Sequence, residues 1–263
     1  MAPLAKINPV LPVSHQFDHF SDDFREKFSC FEFRSADHVE GWAGDALVHT
    51  GLSLTMPDFA SQIDFDNLRK APVRRFSFDV GPCFREVETV DTRYVGVGEK
   101  LSVDQVLSIA KTNLESVREK FPANCELAFE NLNYYPTGAY DGVCDAEFCN
   151  RACSELDLKM VLDVAHARVT AANLGYKFSV FLNQLDLNNV NEVHLSRPEI
   201  NNDKLSMDRH EQPDDEEFSW LKVILDRIGN ARSKPVDVVI EYYRDIDGIM
   251  ASYERLQKEF CQQ

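Results

Sequence analysis

Four short apolar runs in the second half of the chain each present a residue able to bind a metal ion. Residues 127–131 read Leu-Ala-Phe-Glu-Asn and deliver Glu130. Residues 158–163 end on Asp163, and His166 follows three residues later. Residues 190–195 present His194, and residues 236–241 end on Glu241. Continuous aliphatic and β-branched runs of this length read as parallel strands buried on both faces. That device, repeated strand after strand, predicts one site at the C-terminal mouth of a β/α barrel.

The rest of the chain supplies the remaining strands and the helices between them. Strands are predicted over 4–10 (stopped by Pro9 and Pro12), 28–33, 45–54 and 73–80, the last broken by Gly81-Pro82. The clearest helix is 102–120. Ser102 is its N-cap, Gln105 completes a capping box, and Val103, Val106, Leu107, Ala110, Leu114 and Val117 form its apolar stripe. Further helices are predicted over 18–27, within 57–70, and over 145–156, 169–185 (interrupted at Gly175), 216–228 (ended by Gly229) and 246–260. Residues 85–100 have no strong period and read as a long loop, and residues 196–215 as a long polar one. The β/α alternation predicts an α/β fold, a single (β/α)8 TIM-type barrel, with residues 1–263 as one domain. No Gly-x-Gly-x-x-Gly follows a strand, which disfavours a dinucleotide fold.

Composition narrows the partners. The net charge of −16 argues against a nucleic-acid backbone, which demands a basic surface. No apolar stretch is long enough to span a membrane, and the N-terminus lacks the pattern of a signal peptide. The seven cysteines (Cys30, Cys83, Cys125, Cys144, Cys149, Cys153 and Cys261) are odd in number and contain no Cys-x-x-Cys. They read as free thiols in a reducing cytoplasm, and the close trio Cys144, Cys149 and Cys153 as small buried side chains.

The candidate metal ligands are His49, Asp79, Glu130, Asp163, His166, His194, Asp208, His210 and Glu241. Each is expected at a strand end or in the loop just after it. Imidazole with carboxylate suits iron, manganese, zinc or cobalt. Nine groups exceed the needs of one octahedral ion, so either several ions bind or some groups only support the ligands. Glu32 has a simpler reading as the partner of Arg34 or Arg74. A Gly-x-Ser-x-Gly elbow and a papain-like cysteine context are both absent. A glycosidase pair such as Glu130 with Glu241 would leave the histidines unexplained.

Five segments in the second half come in a recognisable order: Phe129-Glu-Asn-Leu-Asn-Tyr-Tyr, Leu162-Asp-Val with Ala171-Ala-Asn-Leu-Gly, Glu192-Val-His-Leu-Ser, Asp208-Arg-His-Glu-Gln-Pro and Ile240-Glu-Tyr-Tyr-Arg-Asp. Phe31-Glu-Phe, Val48-His-Thr-Gly-Leu-Ser-Leu and Val73-Arg-Arg-Phe-Ser-Phe-Asp fit the same template upstream. With them the chain resembles the multinuclear non-haem iron-dependent oxidases, which include the methanobactin and thiaglutamate peptide maturases, within the xylose-isomerase-like TIM barrels. The resemblance implies two or three iron ions. It also implies O2-dependent oxidation of a residue, commonly cysteine, in a ribosomally made precursor peptide that a small partner protein often presents. It makes His49, Glu130, Asp163, His194, Asp208, His210 and Glu241 ligands or near-ligands, with Glu130, His194, Asp208 and Glu241 as the expected catalytic residues. Two positions depart from the family pattern: Asp79 stands where relatives usually have histidine, and His166 where many have asparagine. The competing readings are a divalent-metal sugar isomerase or phosphodiester hydrolase on the same barrel, and a binding module without catalysis.

Overall fold

Residues 4–229 and 234–261 are described by a computed structural model of the chain. The N-terminal half supplies β1 (Ile7–Pro12), α1 (Asp22–Arg25), β2 (Cys30–Phe33), β3 (Asp45–Ser53), α2 (Phe65–Lys70), β4 (Val73–Asp79), β5 (Phe84–Val90), β6 (Arg93–Lys100) and α3 (Val103–Val117). Then follow β7 (Glu126–Glu130), α4 (Ala146–Leu156), β8 (Lys159–Asp163), α5 (Val164–Asn173) and α6 (Phe178–Gln184). The chain continues through β9 (Val190–Leu195), β10 (Arg197–Glu199), β11 (Met207–Glu211), α7 (Asp215–Ile228), β12 (Val236–Ile240) and α8 (Ile246–Leu256). Eight of these strands close into a parallel barrel in the order β1-β12-β9-β8-β7-β4-β3-β2. This is the α/β barrel read from the sequence. Among the described residues no helix is long and apolar enough to cross a membrane.

Alternation along each strand decides what faces the barrel axis. Phe31, Phe33, Val48, Phe76, Phe78, Leu127, Phe129, Met160, Leu162, Val193, Leu195, Val238 and Ile240 belong to the large apolar cluster. It fills the space between barrel and helices. Their immediate neighbours therefore turn inward. Val10, Cys30, Leu47 and Val239 form a small separate apolar cluster inside. Apart from Ala128 and Val161, the other inward positions are mostly polar: Glu32, His49, Arg75, Ser77, Asp79, Glu130, Asp163, Glu192, His194, Asp237 and Glu241, all buried. TIM-type barrels usually fill this interior with branched aliphatic side chains. Here most of the barrel axis is charged.

Several expectations need correction. Residues 85–100 are not a loop but the antiparallel hairpin β5–β6. Its two-residue turn is Asp91-Thr92, with φ of +48° and +65°. Positive φ at both centres is the geometry that Asn-Gly usually supplies, and without that pair the turn is hard to see. Residues 196–215 contain a second antiparallel pair, β10–β11. The helix placed at 169–185 begins at Val164, directly behind Asp163, and its second part is the separate α6. Seven of the ten residues of α5 are buried, on all sides of the helix, so no amphipathic stripe betrays its start. The helix placed at 18–27 shrinks to a 3-10 turn and the single turn α1. β1 runs through Pro9 and ends at Pro12 rather than stopping near Val10. The capping box at Ser102 and Gln105 forms as read.

Candidate metal centre

Glu130 and Asp163 are the last residues of β7 and β8, and Glu241 is the first residue after β12. His194 lies one residue before the end of β9, while His49 lies inside β3, away from its end. All five are buried. Their donor atoms converge: His49, Glu130 and His194 form one group, and Glu130, Asp163, His194 and Glu241 another, with the atoms of each group within 4.8 Å of one another. Glu130 uses its two oxygens separately. Oε2 lies 3.4 Å from Nε2 of His49 and Oε1 lies 3.0 Å from Nδ1 of His194. Nδ1 of His49 is 2.8 Å from the Ser77 hydroxyl, which fixes the ring.

A second lobe adjoins the first. His166 stands in the first turn of α5, where Asp163 caps the helix by accepting from the His166 N–H at 2.6 Å. Nε2 of His166 lies 3.3 Å from Oδ2 of Asp208, which lies 2.9 Å from Nε2 of His210. Nδ1 of His210 lies 3.5 Å from Oε2 of Glu241, closing the arc. Asp208 and His210 sit on β11, not in a loop. His210 has φ +44°, a conformation uncommon for a non-glycine residue and typical of functional sites. Asp79 is beside Glu130 in strand register and buried. It makes no side-chain hydrogen bond or ion pair among the described residues, and it stands next to the converging groups without joining them.

Electrostatics shows how poorly this arrangement suits an apolar interior. Burial and the neighbouring charge of Glu130 push the Asp79 carboxyl up to about 7. Burial also raises Asp163 to about 7, with Glu130 and Glu241 adding to the effect. Burial opposes the ionised forms of Glu130 and Glu241 too, but histidines beside both, and Arg34 beside Glu241, hold them well below the usual range. His194 is pushed well above its ordinary value by the surrounding carboxylates despite its burial. His210 is raised to about 9, burial working against its Asp208 and Glu241 partners.

Glu130 Oε1, Asp163 Oδ2, His194 Nδ1 and His210 Nδ1 are buried and accept or donate no hydrogen bond. Orphaned polar atoms of this kind are rare in native interiors. Carboxylate and imidazole donors that converge without hydrogen bonds, in an excess of negative charge, are the chemistry that di- or trivalent cations satisfy. The residues present therefore fit metal ions.

Several residues escaped the sequence reading. Glu32 lies 3.1 Å from Nε2 of His194 and 3.6 Å from Arg34, while Arg74 pairs with Asp237 instead. Glu192 lies 3.0 Å from Nε2 of His194. With His194 these two carboxylates make a third converging group. Arg34 reaches Glu241 and the Tyr243 hydroxyl. The available signal was parity: Glu192 is two residues before His194, so it faces the same side of its strand.

A buried cluster of imidazoles and carboxylates at the C-terminal mouth of a parallel barrel places the chain among TIM-type α/β barrels that carry a candidate metal site. The family model of the RiPP precursor modification enzyme MbnB/TglH/ChrH matches residues 102–261, and the chain belongs to that family. The matched span holds Glu130, Asp163, His166, His194, Asp208, His210 and Glu241, and leaves His49 and Asp79 outside it. Solved structures agree on the fold. A D-tagatose 3-epimerase-like protein is 11% identical with a TM-score of 0.58, covering 95% of this chain and 96% of its own. D-psicose 3-epimerase of Clostridium cellulolyticum is 12% identical with a TM-score of 0.58, covering 96% and 98%. Endonuclease IV of Thermus thermophilus is 12% identical with a TM-score of 0.56, covering 98% and 99%. These barrels are xylose-isomerase-like, and at such identities they speak for the fold alone. No curated protein sequence matches the chain.

Proposed function

We propose that this chain is a multinuclear non-haem iron enzyme that uses O2 to oxidise a residue, cysteine by preference, in a ribosomally made precursor peptide. The observation that carries the metal part is the convergence of His49, Glu130, Asp163, His194 and Glu241 with unbonded buried donor atoms. Membership of a family that modifies precursor peptides carries the substrate class. On this reading His49, Glu130, Asp163, His194 and Glu241 hold two or three ions, with His166, Asp208 and His210 completing the set, and Asp79 beside them. Glu130, His194, Asp208 and Glu241 are the residues nearest the reaction. Ferrous iron would supply reactivity toward O2 and lower the pKa of a bound substrate thiol.

The chain's own residues do the rest. Glu130 faces His49 with one oxygen and His194 with the other, and with them would help hold the metal ions. Ser77 holds the ring of His49 and the α5 N-terminus holds Asp163. Arg34, part exposed, binds Glu241 from the solvent side and lies over the Tyr243 ring. A cleft of about 650 Å3 opens there, lined by Pro12, Val13, Ser14, His15, Arg34, His38 and Tyr243. It gives the peptide a route to the ligands, and closure of the peptide over it would exclude water. Ligands come from strands spread across the chain, from β3 to the residue after β12, so residues 1–263 act as one catalytic unit. We infer a cytoplasmic protein, consistent with cysteines that form no disulfide. A small protein that presents the peptide is part of the proposal. The epimerases and the endonuclease share this barrel, yet a peptide-modifying family favours the peptide reading over a sugar or nucleic-acid substrate.

The test is direct. Iron-loaded protein, O2 and a cysteine-bearing precursor peptide encoded beside the gene are combined, and peptide mass and O2 uptake are followed. The account expects a mass change coupled to O2 uptake, lost in His194→Ala and in a peptide with serine for cysteine. Full activity of metal-free protein or of His194→Ala would contradict it.

A further inference from the structure

We propose that Arg75 and Glu192 form a positioning pair, built below the metal centre, that orients His194 and leaves its Nδ1 free to bind a cation. The inference rests on the metal-binding part of the function proposed above.

The geometry runs along the barrel axis. Arg75 on β4 is buried and held on several sides. Nη1 donates to Oε2 of Glu192 at 2.9 Å and to Oδ2 of Asp237 at 2.8 Å, and Nη2 donates to Glu126 at 3.0 Å. Asp237 is itself fixed by a forked pair of bonds from Arg74, both 2.9 Å, and by Asn8 at 2.8 Å. A planar guanidinium clamped in this way has one orientation open to it. Glu192 divides its oxygens: Oε2 takes Arg75, and Oε1 lies 3.0 Å from Nε2 of His194.

Glu32 approaches the same nitrogen at 3.1 Å. Nε2 is the ring nitrogen in hydrogen-bond geometry with carboxylates, and as a donor it is committed to them. The other nitrogen, Nδ1, lies 3.0 Å from Glu130 and 3.4 Å from Glu241 without a hydrogen bond. Of the two carboxylates, Glu192 is the anchored one. Arg75 holds Glu192 at 2.9 Å, whereas Glu32 has Arg34 only at 3.6 Å and keeps one buried oxygen without a hydrogen bond. A carboxylate on the far nitrogen of a metal-binding histidine sets which nitrogen is free and where the ring points. The charged layer at Arg75, Glu192 and Asp237 thus has a purpose that a barrel filled with aliphatic side chains would not need.

The experiment uses Co2+ as the probe, titrated into metal-free full-length protein and followed by its visible absorption, with no peptide or O2 chemistry involved. Glu192→Gln keeps the shape of the side chain and removes its charge. Its Co2+ dissociation constant is expected to rise about tenfold or more, with a changed absorption spectrum. Glu126→Gln is the control: it touches Arg75 but not His194, and it leaves the Glu192 and Asp237 pairs of Arg75 in place. Its affinity is expected to stay within about twofold of the starting protein. Circular dichroism and melting curves check that both variants fold. Wild-type-like Co2+ binding by Glu192→Gln would overturn the inference, as would an equal loss in Glu126→Gln, which would mark a merely structural layer. If the unaltered chain binds no Co2+, the metal reading of the function falls as well. If it binds Co2+ and only the peptide oxidation fails, the positioning pair stands.

Discussion

Asp79 and Asp163 are carboxyl groups held to about 7 in the metal-free chain, chiefly by burial. Both folded values lie above the ordinary 3.8, so the neutral forms are favoured, and their contribution to stability is full below pH 4 and lost as pH rises through 7. A cation at the site must displace the proton on Asp163 and those on the raised histidines. Metal affinity should therefore climb as pH rises from 5 through about 9, where His210 loses its proton, as Co2+ titrations at fixed ionic strength would record. An affinity independent of pH over that range would mean that these groups are not at the site. His49, Glu130, Asp163, His194 and Glu241 were visible in the sequence because a carboxylate or imidazole at the end of an apolar run has few other reasons to be there. Glu192, Asp237 and Arg75 were hidden because each lies within or at the start of a run and, taken singly, looks like an outward-facing residue. Only the alternation pattern, once fixed by the fold, turns them inward.

α3 shows the most complete agreement between local sequence and structure: cap, box and stripe all form as their spacing requires. Replacing Ser102 by Ala should destabilise the protein by about 1 kcal/mol in urea unfolding, through one lost N-terminal hydrogen bond. Metal content should not change, since no ligand lies on that helix. The two hairpins β5–β6 and β10–β11 were the elements least legible. The first turns on Asp91-Thr92 in place of a glycine turn, and the second has strands of three and five residues. The second matters more. By folding residues 207–211 back as a strand, it brings Asp208 and His210 over the mouth beside His166 and Glu241. Strand order and helix alternation were readable because eight apolar runs at barrel spacing leave few other architectures.

A chain with net charge −16 that directs Asp79, Glu130, Asp163, Asp208 and Glu241 toward one end of a barrel stores repulsion that cations relieve. Metal should therefore stabilise the whole fold. At free metal about 100 times the dissociation constant, each independent site adds about 2.7 kcal/mol. For a chain of this size that corresponds to a rise in melting temperature of roughly 5–10 °C, reversed by a chelator. The most direct measurement of the central claim is the metal content of protein produced with ample iron and purified without oxygen, with Mössbauer spectra of the same sample. The account predicts two or three irons per chain, magnetically coupled and altered on exposure to O2. Stoichiometric zinc, manganese or magnesium without reactivity toward O2, or a folded protein that holds no metal, would contradict it.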